Sequence, residues 1–207
     1  MTMVEERVLS SFRSANIITR LSTATYHVKY AADPNIGVIL SLDHHSFTPS
    51  TFCSSAYEWN HLESDTSRRL RIYPTANKIM VMGCKSLQEC KDTLVKLRHV
   101  LGTLHILNIQ CILLNLNLNL PWTMNRHVDT ILSEVPEVVL VEARERQPCL
   151  VVHVRLHNSY IKKALLYPRT GKASLHTSSW EDTEIMWSLL WPALQQCRGF
   201  SKPTEPG

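Results

Sequence analysis

Two stretches of this chain repeat one another, in the same order, roughly 90 residues apart, and that repetition limits the fold more than any other feature. Asn16-Ile17 opens one β-rich stretch and Asn108-Ile109 opens another, 92 residues on. Tyr73-Pro74-Thr75-Ala76-Asn77-Lys78 has its partner in Tyr167-Pro168-Arg169-Thr170-Gly171-Lys172, 94 residues on. Each Tyr-Pro segment leads through a short polar step into a helix-like segment. A period this long is beyond the ~20–50 residues of stacked repeat units. The expected architecture is therefore two similar half-domains, residues 15–105 and 106–200, with an N-terminal arm at 1–14 and a flexible tail at 201–207.

A chain of 207 residues, 44% of them apolar, can bury a core without covalent staples. Its six cysteines (Cys53, Cys84, Cys90, Cys111, Cys149, Cys197) include no pair at CxxC spacing, which argues against a zinc ribbon or redox motif and for a reduced, intracellular state. The charged first 13 residues lack the apolar run of a signal peptide. No uncharged apolar stretch reaches the length of a membrane span. The formal charge of +4 suits an anionic partner but would equally suit an ordinary soluble protein.

Within the first copy, Asn16 to Tyr30 is rich in β-branched and aromatic residues and predicts a strand. Asp33-Pro34 marks a helix start, with Ile36 to Leu42 as its apolar face. Phe52 to Asn60, Arg68 to Tyr73 and Lys78 to Gly83 read as antiparallel strands. Ser86 with Glu89 predicts a capped helix whose stripe is Leu87, Cys90, Leu94, Leu97 and Leu101. In the second copy Ile109 to Leu120 alternates leucine and asparagine, the period of a two-faced strand. Pro121 to Ser133 predicts a helix, Cys149 to Leu156 and Tyr160 to Tyr167 strands, and Asp182 to Gln196 the last helix, while Val138 to Glu142 fits either a strand or a loop.

The chain resembles the TATA-box-binding protein (TBP) family over about Ala15 to Phe200. Ser46-Phe47-Thr48-Pro49-Ser50-Thr51-Phe52 is similar to the family's aromatic-x-Pro-x-x-Phe string. Ile72-Tyr73 followed by Lys78 to Ser86 resembles its "IF…SGK…TGAKS" segment. Ile106-Leu107-Asn108-Ile109 resembles "IQNIV", and Trp191-Pro192-Ala193-Leu194 resembles "YPVL", which places a proline inside the last helix despite its cost there. The resemblance implies an α+β, TBP-like saddle: two pseudo-symmetric half-domains forming a curved antiparallel sheet with helices on the convex face.

The resemblance further implies minor-groove DNA binding through the concave sheet. By position, Asn16 and Asn108 match the central asparagines, whose amides would meet the minor-groove acceptors of A·T pairs. Their alternative use is to satisfy a turn at a strand start. Phe52 matches a wedge phenylalanine, with Tyr73 and Tyr167 where the partner wedges sit, although all three would also serve as sheet aromatics. Lys78, Lys85 and Lys172 match phosphate-contacting lysines, in a class of residue that otherwise is simply solvated. The second-half equivalent of Phe52 falls near Gln147.

Several departures bear on function. Met82 and His176 stand where the family has threonine, no arginines accompany Tyr57-Glu58-Trp59, and Glu58 would repel phosphate on the groove side. The long first strand of the second half must flip its side-chain parity through a bulge; otherwise the leucines of 114–120 would line the groove and the asparagines would be buried. No P-loop, GxGxxG, HExxH or GxSxG string is present. Asp43-His44-His45 near Cys53 lacks further ligands at helpful spacing. The function expected is therefore that of a nuclear or viral TBP-like transcription factor, neither enzyme nor cofactor-dependent. It would bind A·T-rich duplex DNA and recruit transcription-machinery proteins through its convex helices, with no membrane or small-molecule partner. The alternative is a TBP-fold protein-interaction module that has lost DNA binding, anchored by some of Trp59, Trp122, Trp180, Trp187 and Trp191. A concave face of asparagines and lysines favours DNA, and a leucine-rich or acidic one favours protein.

Overall fold

The computed structural model describes residues 2–59, 68–102, 104–144, 148–157 and 160–201. In chain order the elements are α1 (Met3–Ser14), β1 (Ile18–Tyr30), α2 (Pro34–Leu42), β2 (Phe47–Pro49), β3 (Tyr57–Trp59), β4 (Arg69–Tyr73), β5 (Lys78–Cys84) and α3 (Leu87–Leu101). They continue as β6 (Ile106–Asn119), β7 (Trp122–Met124), α4 (Val128–Ser133), β8 (Val138–Ala143), β9 (Leu150–Arg155), β10 (Ile161–Tyr167), β11 (Lys172–Thr177), α5 (Trp180–Gln196) and β12 (Arg198–Ser201).

The chain divides into two compact units, one of Thr23–Leu113 and one of Met1–Ser22 with Leu114–Gly207. The division falls inside β1 and β6, eight residues later than the half-domain limits expected from the sequence, because each long first strand belongs partly to either unit. The Thr23–Leu113 unit has strand order β2-β3-β4-β5-β1, and the other has β6-β11-β10-β9-β8. The pairings β2-β3, β3-β4, β4-β5, β5-β1, β6-β11, β11-β10, β10-β9 and β9-β8 are all antiparallel. The plan is the same twice: a first strand, a short helix, four antiparallel strands that return to the first, and a long helix.

Local chemistry repeats with the plan. Each Tyr-Pro turn ends on a left-handed residue, Asn77 at φ 47° and Gly171 at φ 59°. In each, the amide of that residue donates to the proline carbonyl, Asn77 to Pro74 at 3.2 Å and Gly171 to Pro168 at 3.4 Å. Asparagine and glycine are the residues that reach this conformation cheaply. Ser86 caps α3 by accepting from the Glu89 amide at 3.1 Å, and Ser179 caps α5 by accepting from the Asp182 amide at 3.1 Å. Both N-caps satisfy otherwise orphaned amides.

Within the segment expected to be a mobile or loosely docked arm, Met3–Ser14 forms α1. Thr2 and Glu5 make a reciprocal capping box. Val8 and Phe12 are buried in the core of their own unit, and the Phe12 ring meets Trp187 of α5 edge-on at 4.8 Å. Arg7 adds a two-point pair to Glu184, at 2.6 and 2.8 Å. That pair is exposed and contributes little; apolar burial of Phe12 is the larger effect.

Two other expectations change. Phe52 lies in a loop and not in a strand, because its amide donates to Ser50 Oγ in a turn at 3.3 Å and β3 starts only at Tyr57. Pro121 to Ser133 is not one helix: Trp122–Met124 pairs with β12, and α4 begins after Asn125 Oδ1 has accepted from the His127 amide. Asn60, Gln147 and the tail beyond Ser201 lie outside the described residues.

Phe12→Ala is expected to lower stability by about 3–5 kcal/mol, the usual cost of emptying a buried phenylalanine site. Urea unfolding followed by tryptophan fluorescence measures this, and an arm that merely lay on the surface would show almost no loss.

Candidate nucleic-acid interface

The open face of the β6-β11-β10 sheet is set by its buried face. Leu116, Leu118 and Leu120 enter the core with Ala173, Leu175, Ala164 and Leu166, and Leu114 is buried too. Side chains alternate along a strand, so Asn115, Asn117 and Asn119 stand on the opposite face. Register sets His176 opposite Asn115, Ser174 opposite Asn117, and Lys172 opposite Asn119. Tyr167 lies next to Lys172 across the β10-β11 pair. Together with Arg20 and Ser22 these residues line an open depression of about 460 Å³. Ser174 Oγ donates to Asn117 Oδ1 at 3.0 Å, which occupies the amide oxygen and leaves the –NH₂ group to offer a ligand. Burial, and then the charge of Lys163, push the His176 pKa down, so this ring is neutral at pH 7.

The matching face of the Thr23–Leu113 unit is built on the same alternation. Leu70, Ile72, Ile79 and Val81 are buried, which places Arg71 and Tyr73 of β4 and Lys78 and Met80 of β5 on the other side. Lys29 of β1 is the direct cross-strand partner of Lys78, and His27 that of Met80. Like charges directly opposite one another are unfavourable unless something anionic sits over them. Burial, followed by Lys78 and Lys29, lowers the His27 pKa. Lys78 Nζ lies 5.1 Å from the Tyr73 ring centroid, and the Tyr73 hydroxyl donates to Met80 Sδ at 3.6 Å.

Glu58, suspect on this face, is neutralised. Arg71 Nε donates to Glu58 Oε1 at 2.8 Å, Ser50 Oγ donates to the same oxygen at 2.9 Å, and the Arg71 guanidinium lies 4.9 Å from the Phe52 ring centroid.

The sequence-predicted residues fall into two groups and three single positions. Tyr167 and Lys172 join the asparagine stripe. Phe52, Tyr73 and Lys78 belong to the face of the Thr23–Leu113 unit. Asn108 is exposed on β6, on the side away from Ile109, which lines a groove with Leu94 and Val95 of α3. Asn16 is not in β1; at φ 54° it makes the left-handed turn between α1 and β1, exposed at the end of the strand. Lys85 is exposed in the connection to α3, where its amide donates to Glu89 Oε2 at 2.8 Å.

Ile109 lines the groove beside α3, Leu114 is buried, and a bulge of one extra residue lies in another strand pair. In the β1-β5 pair the extra residue is Gly83, at φ 81°, skipped between Ala24–Cys84 and Thr25–Met82. Asn115, Asn117 and Asn119 are the residues that family matching passed over. Their signal was the leucine–asparagine alternation itself.

Asp43 Oδ1 accepts from the Ser46 amide in a turn, and among the described residues no group of three His, Cys, Asp or Glu could hold a metal ion. No helix among them is long and apolar enough to cross a membrane.

Two α+β units of this plan, with this strand order, define a TBP-like fold. The solved structure "Methanococcus jannaschii TBP" matches the chain with a TM-score of 0.62 at 14% identity, over 87% of this chain and 99% of that one. At that identity the likeness establishes the fold and not what the chain binds. No family model matches the sequence, and no curated protein does.

The Glu58 pKa is held down by the Ser50 hydroxyl and then by Arg71. A lowered folded pKa adds stability above the unfolded carboxylate value, about 4.3, and loses it as pH falls through the folded value. Glu58→Gln is therefore expected to cost up to about 1 kcal/mol at neutral pH and nothing in acid. Urea midpoints of parent and variant should converge below about pH 4; a constant gap would contradict a charge effect.

Proposed function

We propose that this protein binds duplex DNA in the minor groove through the open sheet faces of its two units and acts as a TBP-like transcription factor. The observation that carries the reading is the outward stripe of Asn115, Asn117 and Asn119, flanked by Arg20, Lys172 and Tyr167. Amide groups in a row suit the acceptors that A·T pairs present in the minor groove, which do not separate A·T from T·A. The strands β6, β11 and β10 contain no Asp or Glu. Asn108 and Asn16 would extend the amide contacts, Phe52, Tyr73 and Tyr167 would meet base steps, and Lys78, Lys85 and Lys172 would meet phosphates.

Partner recruitment falls to α3, through Lys91, Lys96 and Arg98. The acidic start of α5 is less suited to it: Glu184 is paired with Arg7, and Asp182 accepts from the Ser178 amide and faces Lys162 at 3.5 Å. Four of the five tryptophans (Trp122, Trp180, Trp187, Trp191) belong to or pack on the core, which removes most of the anchors that a protein-docking saddle would use.

Fluorescence anisotropy with A·T-rich and G·C-rich duplexes tests the reading. The expected result is A·T preference, a log–log salt slope of about −3 from the phosphate contacts of the three lysines, and at least about tenfold weaker binding for Asn115→Ala/Asn117→Ala. A folded protein that binds neither duplex at low salt would make these sheet faces protein-docking surfaces.

A further inference from the structure

Phe52 is an apolar ring held out in water. It is 74% exposed, so folding gains little from it, yet its surroundings fix it from two sides. Its amide donates to Ser50 Oγ at 3.3 Å, and its ring lies against the Arg71 guanidinium at 4.9 Å. Arg71 is itself anchored, since its Nε donates to Glu58 Oε1 at 2.8 Å, and that oxygen also accepts from Ser50 Oγ at 2.9 Å. The circuit closes: Ser50 holds both the Phe52 backbone and Glu58, Glu58 holds Arg71, and Arg71 holds the ring. Three polar groups from a loop and two strands thus converge on one exposed phenylalanine. Glu58 and Arg71 offset one another's charge.

We propose that Ser50, Glu58 and Arg71 are positioning residues that hold Phe52 in a preset pose for insertion between two base pairs, with Arg71 acting through ring stacking and not as a phosphate contact. The inference rests on the DNA-binding reading above. Ordering a side chain in advance removes that cost from binding, and a wedge must unstack a base step, which is itself costly. Planarity is essential to Arg71's part, since a guanidinium stacks on a ring face as an ammonium does not.

The test places a fluorescent adenine analogue, which brightens on unstacking, at successive positions of an A·T-rich duplex, with binding followed in parallel by anisotropy. The step entered by Phe52 is the one whose brightening disappears in Phe52→Ala. Arg71→Lys keeps the charge and a donor to Glu58 but loses the plane; brightening at that step should fall about two- to fivefold, with the salt slope of binding unchanged. Glu58→Gln should weaken brightening at the same step only. Unaltered brightening in Arg71→Lys overturns the inference while leaving DNA binding intact. So does an Arg71→Ala variant whose salt slope shrinks by about one and is restored by lysine, since that is the behaviour of a phosphate contact. Absence of duplex binding by the folded parent overturns the binding reading and this inference together.

Discussion

Everything on the candidate face depends on burial of one leucine stripe. Leu114, Leu116, Leu118 and Leu120 occupy the core side of β6 and are nearly or completely inaccessible. Each is worth roughly 1.5–3 kcal/mol when fully buried, and a slip of one residue would put Asn115, Asn117 and Asn119 on the core side in place of leucines. The register of β6 is therefore held by a large apolar penalty, and the outward position of Asn115, Asn117 and Asn119 follows from it. The amide row needs no separate stabilisation; it is the reverse side of a core strand.

The two units use their shared plan for different surfaces. One offers amides, a neutral histidine and a tyrosine around an open depression. The other offers paired lysines, a methionine-rich strand and an exposed phenylalanine braced by an arginine–glutamate pair. Such a division fits a partner that is read on one stretch and deformed on another. Lys29 and Lys78 are like charges directly opposite one another, an unfavourable pairing.

Much of the plan was legible because it is written in local chemistry. The Tyr-Pro turns, the serine caps and the apolar stripe of α3 each specify a conformation from a few adjacent residues, and their recurrence at nearly one spacing announced two units. Long-range partners were less visible. Among the described residues of segment 1–14 the deeply buried side chains are Val8 and Phe12, and Phe12 packs on Trp187 of a helix more than 170 residues away. Trp122–Met124 reads as helix until its partner β12 is known. Glu58 looked repulsive until Arg71, 13 residues on, was seen to neutralise it. Family matching directed attention to Asn16, which the structure uses in a left-handed turn, and away from the three asparagines that period-2 alternation places outward.

The most direct test of minor-groove recognition by this face replaces A·T pairs with inosine·cytosine pairs, which keep an A·T-like minor groove while presenting the major groove of G·C. Binding to the inosine duplex at close to the A·T affinity, with loss when guanine supplies its minor-groove amino group, is the result expected. Discrimination that follows the major groove, with the inosine duplex behaving as G·C, would contradict it.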